Sequence, residues 1–308
     1  MSLTPVYGPI DPDDTLCTLA HAVDSGLTFI DTANVYGNGL SELTIARLIA
    51  TRRDEVQLAS KFGIVPGGGI GARGIRDDRA YVLEQIDLSL IRLGTDHLDL
   101  YYQHRVDPDA PIEETVGALA ELVHAGKIRQ IGLSEPTGVE LRRAVAVHPI
   151  AAVQSEWGII SRDVERHVIP TAIELGFVPY SPLGRQCLTG RFDRTALTES
   201  DARHKFPRFA ADVLAANQPL LDEVLAVARE AEVSPAQVAL AWIYDKGRTL
   251  GIPLSPIPGS RFIARVDENL AAAGIRLDVA HVKRLDALAE RVISGRSFNP
   301  QWVSADRE

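Results

Sequence analysis

Short runs rich in apolar and β-branched residues alternate along the chain with longer segments whose apolar residues recur every three or four positions. The short runs predict strands at 27–33, 56–63, 98–105, 128–134, 151–157, 177–181 and 254–259. The longer segments predict helices at 13–25, 41–51, 112–125, 138–147, 162–175, 212–231, 235–246, 262–273 and 279–293. Between the second and third strands, Leu83, Ile86, Leu90 and Leu93 share one helical face, which is expected to pack on the sheet. Ser234-Pro235 supplies a cap and first-turn pair for the helix it opens. Strands and helices in alternation are the pattern of an α/β fold with a parallel sheet.

Two segments break this rhythm, a glycine-rich one at 64–78 and a charged, turn-forming one at 184–208. Both follow strand C-termini, where a parallel barrel carries its ligand loops. The first contains Gly69-Ile70-Gly71-Ala72-Arg73-Gly74, a match to GxGxxG. The dinucleotide fingerprint needs those glycines to open a helix, with an acidic residue about 20 positions on at the end of the next strand. Here Ile75-Arg76-Asp77-Asp78 separates the glycines from the helix, so a glycine-rich loop is predicted in place of a doubly wound sheet.

Composition narrows the picture further. With 308 residues and 45% hydrophobic content the chain can form one large core, and about 250 residues suffice for an α/β barrel, so a single domain over 1–308 is expected. A formal net charge of −9 disfavours nucleic acid and anionic membrane as partners, while leaving room for a local basic pocket. Cys17 and Cys187 form no CxxC pair, so neither a disulfide framework nor a thiolate zinc site is encoded, and a reducing, cytoplasmic location is expected. The N-terminus has no basic start followed by an apolar run, and no segment reaches the roughly 18 apolar residues of a membrane span.

The candidate chemistry lies at strand ends. The first predicted strand runs into Asp31-Thr-Ala-Asn-Val-Tyr36, the second ends at Lys61, and the third ends at His104. A free phenol titrates near 10, so Tyr36 gives up a proton more readily if its anion is stabilised. A lysine ammonium does this electrostatically, an aspartate keeps that ammonium charged and oriented, and a histidine can bond the substrate oxygen or relay a proton. Singly, Asp31 reads as a cap, Tyr36 as a packing aromatic, Lys61 as a strand-end cation and His104 as a rim histidine. Their placement on three successive strand ends favours one shared site.

The segments DTANVYGNGLSE, LASKFG, DLYYQHRVDP, GKIRQIGLSE, VQSEW, FVPYSPLGR, LTGRF and IPGSRFIARVDENLAA resemble, in this order, the successive signature segments of aldo-keto reductases. The resemblance spans residues from about 27 to 273 and implies a (β/α)8 TIM barrel without a metal. It implies NADPH as cofactor, hydride transfer to a small aldehyde or ketone, and Asp31, Tyr36, Lys61 and His104 as the catalytic tetrad with Tyr36 as general acid. It also implies Ser134 and Gln154 at the nicotinamide carboxamide, Tyr180 stacked on the nicotinamide, and Ser181, Leu183 and Arg185 at the pyrophosphate. Ser260, Arg261 and Arg265 fall on positions that engage the 2′-phosphate, and Glu268 and Asn269 on positions at the adenine. Arginine suits a phosphate because its planar fork can bond two oxygens.

The chain departs from the family pattern in four places. It begins where a first barrel strand should end, so either the barrel lacks that strand or the start codon lies upstream of the one used. Glu135 replaces a common Asn, two residues are absent between Gly176 and Phe177, and Gln186-Cys187 follows Arg185 in place of a glycine and an apolar residue. An alternative reading is therefore a cofactor-binding regulatory barrel like the potassium-channel β subunits. The intact tetrad argues for catalysis and the absent strand against it. A metal-dependent barrel hydrolase would need clustered histidines and carboxylates at strand ends, and the sequence offers none. Substrate specificity is expected in the two irregular loops and in the tail from Ser294. Trp157, Phe298 and Trp302 are candidate pocket walls, with core packing the alternative for Trp157 and an exposed tail for the other two. Oligomeric state is not legible.

Overall fold

In the computed structural model, which describes residues 3–65, 74–107 and 110–307, six parallel strands lie side by side in sequence order. They are β1 (Phe29–Asp31), β2 (Gln57–Phe62), β3 (Leu98–Gln103), β4 (Ile128–Ser134), β5 (Ala152–Glu156) and β6 (Gly176–Tyr180). Each crossover carries a helix: α2 (Leu40–Arg52), α3 (Arg79–Leu93), α4 (Ile112–His124), α5 (Gly138–Val147) and the single turn α6 (Val168–Thr171). A first helix α1 (Pro12–Asp24) precedes β1, and α7 (Ala211–Glu230), α8 (Pro235–Leu250), α9 (Ile263–Ala271) and α10 (Val279–Asp286) follow β6. Local chemistry explains the helix starts. Asp11 caps α1 by accepting from the amides of Asp13 and Asp14, and Ser234 with Gln237 forms a reciprocal capping box on α8.

Side chains alternate between the two faces of a strand. On one face Ala59, Leu100, Tyr102, Ala152 and Val178 pack together with Phe29 and Ile257. Contact among residues of β1, β2, β3, β5 and β6 on one face requires the sheet to curl around them. Asp31, Lys61, Ser134, Gln154 and Tyr180 share the parity of these residues, so five of the six strands carry a polar residue to the same concave rim, and His104, just past the end of β3, has the parity of Tyr102. The other face meets the helices through a much larger apolar cluster that includes Leu58, Phe62, Tyr101, Ile131, Val153 and Phe177. Gly132 matters to this arrangement. It pairs in register with Tyr102, and a Cβ there would stand 2.4 Å from two carbons of the Tyr102 ring, which lies beneath Lys61.

Several predicted elements come out differently. The strand expected at 254–259 is reduced to two isolated parallel bridges, Phe177 to Leu254 and Tyr180 to Ile257. Pro253, Pro256 and Pro258 lack amide hydrogens, so only Ser255 and Ile257 donate to β6, at 3.0 Å each, and no regular ladder forms. The helix expected at 162–175 shrinks to a 3-10 turn at Asp163–Glu165 and the four residues of α6, which contain Pro170. The helix expected at 279–293 stops at Asp286. On α3 the buried face is Val82, Ile86, Ser89 and Leu93, with Leu83 and Leu90 only half-buried at its edge. The glycine-rich motif lies partly outside the described residues, since these omit 66–73. Its flanks close as a hairpin, Val65 donating to the carbonyl of Gly74 and Arg76 to that of Gly63. The helix begins only at Arg79, capped by Asp78.

No regular strand precedes β1 among the described residues; residues 3–11 form turns. This segment is tied down elsewhere. Ala202 donates to the carbonyl of Val6, and the Arg261 guanidinium bonds the carbonyls of Tyr7, Gly8 and Pro9. The first and ninth helices also meet, through His21 and Asp267 at 2.6 Å, which brings the two ends of the curled sheet toward each other.

Candidate active site

Parallel register between β1, β2 and β3 brings the four predicted proton-transfer residues together. The ammonium of Lys61, fully buried, is ion-paired to Asp31 and donates to the carbonyl of Thr32 at 2.8 Å. It lies 5.3 Å from the centroid of the Tyr36 ring and 5.7 Å from that of Tyr102. The Tyr36 and His104 rings meet edge to face with centroids 5.6 Å apart. Burial, with the Asp31 charge second, pushes the Tyr36 phenol up from its ordinary value, against the opposing pull of Arg105 and Arg185. Burial also drives His104 well below the usual histidine range, and Arg105 and Lys61 act in the same direction, so the imidazole is neutral. Its Nδ1 has no partner among the described residues.

Of the residues expected at the nicotinamide, Gln154 donates to the second oxygen of Asp31 at 2.9 Å and so orients the carboxylate that holds Lys61. Ser134 accepts from Arg105 at 3.1 Å, and the Arg105 guanidinium stands 5.7 Å over the Tyr180 ring. Arg105 follows directly on His104, yet sequence reasoning passed over it. The signal was its position at the end of the predicted strand 98–105, directly after His104.

The residues expected at the phosphates come from loops. Ser181 and Arg185 have positive φ values of 48° and 52°, within a turn that also includes Gly184 and Gln186 at positive φ. Leu183 is half-buried in that turn. Arg185 pairs with Glu156 at 3.0 Å, and Arg208, from the far end of the loop, pairs with the other oxygen of the same carboxylate at 3.0 Å. Arg203 stacks near Tyr7, 5.3 Å from its ring. At the start of α9, Ser260 closes a local turn with Phe262, Arg265 stacks on Phe262 at 4.5 Å, and Glu268 pairs with Arg191 at 2.7 Å. Asn269 is half-buried on the same helix. A chain of net charge −9 thus gathers Arg185, Arg191, Arg203, Arg208, Arg261 and Arg265 around one loop and one helix start.

Glu135 is a further residue whose part sequence reasoning missed. It is fully buried at a positive φ of 57°, accepts the Tyr180 hydroxyl at 2.8 Å, and pairs with Arg296 at 2.7 and 2.9 Å. Arg296 also grips Asp163 at 2.6 Å, and Ser304 donates its amide to Glu135 at 3.1 Å. Burial acts to raise the Glu135 carboxyl, and Arg296 overrides it and holds the group well below the usual carboxylate range. The tail is therefore packed on the rim and not exposed: Trp302 is 7% accessible and meets Phe298, which meets Phe206. Trp157 belongs to the core, edge-on to Phe177 and Trp242, with its indole N–H on Glu165 at 2.8 Å.

Comparisons with known proteins identify the family. A model described as the aldo/keto reductase family matches residues 1–290. A relative from Glycine max, named as a probable aldo-keto reductase 1, is 38% identical over 305 residues, covering 97% of this chain and 87% of the relative. Among solved structures, the glycerol dehydrogenase of Gluconobacter oxydans superposes with a TM-score of 0.81 at 27% identity, over 94% of this chain and 90% of that one. An aldo/keto reductase from Klebsiella pneumoniae, solved with NADP and acetate, gives a TM-score of 0.67 at 26% identity over 92% and 90% of the two chains. The chain belongs to the aldo/keto reductase family.

Proposed function

We propose that this oxidoreductase reduces an aldehyde or ketone with NADPH on a (β/α)8-type barrel, Tyr36 acting as general acid. The observation that carries the reading is the buried Asp31–Lys61 ion pair set against the Tyr36 ring, with His104 edge-on to the same ring. Burial keeps the phenol protonated until it is needed, so Tyr36 is loaded to donate. As the proton leaves, the tyrosinate meets the Lys61 ammonium at close range, where low polarity strengthens the attraction. Burial draws the Lys61 ammonium below its ordinary value, and Asp31, held by Lys61 and Gln154, opposes that pull. Neutral His104 can donate one hydrogen bond to the carbonyl oxygen and so orient it toward Tyr36.

The donor set fits a phosphorylated dinucleotide. The Arg185 Nε is buried without a partner among the described residues, and the Arg265 guanidinium lies over the Phe262 ring within electrostatic reach of Glu268. Ser181, Leu183 and Arg185 would hold the pyrophosphate, Ser260, Arg261 and Arg265 the 2′-phosphate, and Glu268 and Asn269 the adenine. Ser134 and Gln154 would hold the nicotinamide carboxamide and Tyr180 would stack on the ring. The cofactor supplies the hydride when bound. The Klebsiella pneumoniae relative, solved with NADP, supports that choice.

The test is NADPH consumption by the purified chain across a panel of aldehydes and ketones, with NADPH affinity measured in parallel. Turnover of some of them at the expense of NADPH is expected. NADPH binding without turnover of any carbonyl compound would overturn catalysis and favour a regulatory role.

A further inference from the structure

The cations of the rim differ in how they are neutralised. Lys61 has Asp31, Arg185 and Arg208 share Glu156, and Arg296 has Glu135 and Asp163. Arg105 has no carboxylate within ion-pair distance among the described residues. It bonds neutral acceptors, the carbonyl of His104 at 2.5 Å and the hydroxyl of Ser134 at 3.1 Å, and its Nε is buried without a partner among the described residues. Its guanidinium faces the Tyr180 ring at 5.7 Å. The acid next to that ring, Glu135, is already held twice by Arg296. A guanidinium without a direct ion pair therefore stands beside Ser134 and Tyr180, two of the residues proposed to hold the nicotinamide, within electrostatic reach of Glu135.

Resting on the reading that the nicotinamide lies against those two residues, we infer that Arg105 makes the site discriminate between the redox forms of the cofactor, favouring NADPH over NADP+. The two forms share every phosphate, ribose and adenine group. They differ at the nicotinamide, which is a cation when oxidised and neutral when reduced, so a fixed charge near that ring acts on the two forms differently. Arg105 lies two residues beyond the end of β3 and its guanidinium donates to the carbonyl of His104 and to Ser134, which holds it beside the Tyr180 ring. Like charges a few ångströms apart at an effective dielectric near 20 repel enough to separate the two affinities by about ten-fold after solvent screening. Such a bias would release the oxidised cofactor after each turnover and direct the enzyme toward reduction.

The experiment is isothermal titration calorimetry of the full chain with NADPH and with NADP+, for the native protein, Arg105→Lys and Arg105→Gln. Glutamine keeps a donor for Ser134 and lacks the charge; lysine keeps the charge. The expected result is a native Kd ratio favouring NADPH by about ten-fold, retained in Arg105→Lys and collapsed toward unity in Arg105→Gln, mainly through tighter NADP+. A native ratio at or below unity overturns the inference even if Arg105→Gln fails to fold, and so does a ratio unchanged in Arg105→Gln. Failure of the native protein to bind either form would instead overturn the proposed function.

Discussion

The proton-transfer rim and the arginine-rich flank are built in different ways. Asp31, Lys61 and His104 sit on or directly after adjacent strands whose parallel ladders fix their spacing, and Tyr36 follows within one turn. Arg185, Arg203, Arg208 and Arg261 come from a long loop and a helix start, where ion pairs and stray carbonyls hold them. The first region is preorganised by backbone hydrogen bonds that chemistry at the rim does not disturb. The second is held by side-chain contacts that a phosphate must exchange for its own. Preorganisation suits a transition state, and exchangeable contacts suit a cofactor that has to enter and leave.

The sharpest way to break this comparison is at the rim. Replacing Tyr36 with Phe should lower kcat for carbonyl reduction by about 10²–10⁴-fold while NADPH affinity, read by fluorescence quenching, holds. A retained rate would move the general acid elsewhere.

Next comes the buried network that ties the tail to the rim. Arg296→Met leaves Glu135 and Asp163 without their common cation, at a cost of about 3–5 kcal/mol in stability. Denaturant midpoints measure it, and a loss below about 1 kcal/mol would mean that water replaces the arginine.

On the flank, Arg261→Ala should weaken NADPH by about ten-fold and NADH hardly at all, since only the former carries the 2′-phosphate. Equal losses for both would show that Arg261 serves the N-terminal carbonyls it bonds and not the phosphate.

The smallest effect concerns Asp77, which anchors the start of α3 by accepting from Gln103 and from the amide of Asp107. Burial pushes its carboxyl from an ordinary 3.8 up to about 7. The folded state therefore holds the proton more tightly than the unfolded one, and the associated stability is complete below pH 3.8 and lost as pH rises through about 7. Asp77→Asn should flatten this slope in a series of Tm measurements from pH 4 to pH 8. An unchanged slope would assign the pH dependence to another group.

How far each region could be read in advance follows the same division. The strand-end tetrad was legible because period-two alternation and parallel register are properties of local sequence, and together they carry Asp31, Lys61 and His104 to one rim. The flank was legible only as a set of residue types through family resemblance. That Arg261 reaches back to Tyr7, Gly8 and Pro9, and that Arg191 takes Glu268, depends on how distant loops meet. The strand at 254–259 misled because its apolar run looks β-like while its prolines remove the donors that a ladder needs.

By itself the sequence determined the order of elements, the parity of side chains along each strand and the presence of an acid, a phenol, an ammonium and an imidazole at successive strand ends. Tertiary structure alone decided which charges are neutralised. Glu135 and Arg296 stand 161 positions apart and become one buried pair, Glu156 draws in Arg208 from 52 positions away, and Arg105, adjacent to His104, is left without an ion-paired carboxylate among the described residues. Charge pairing depends on distance and on exclusion from water, and neither is encoded locally along a chain.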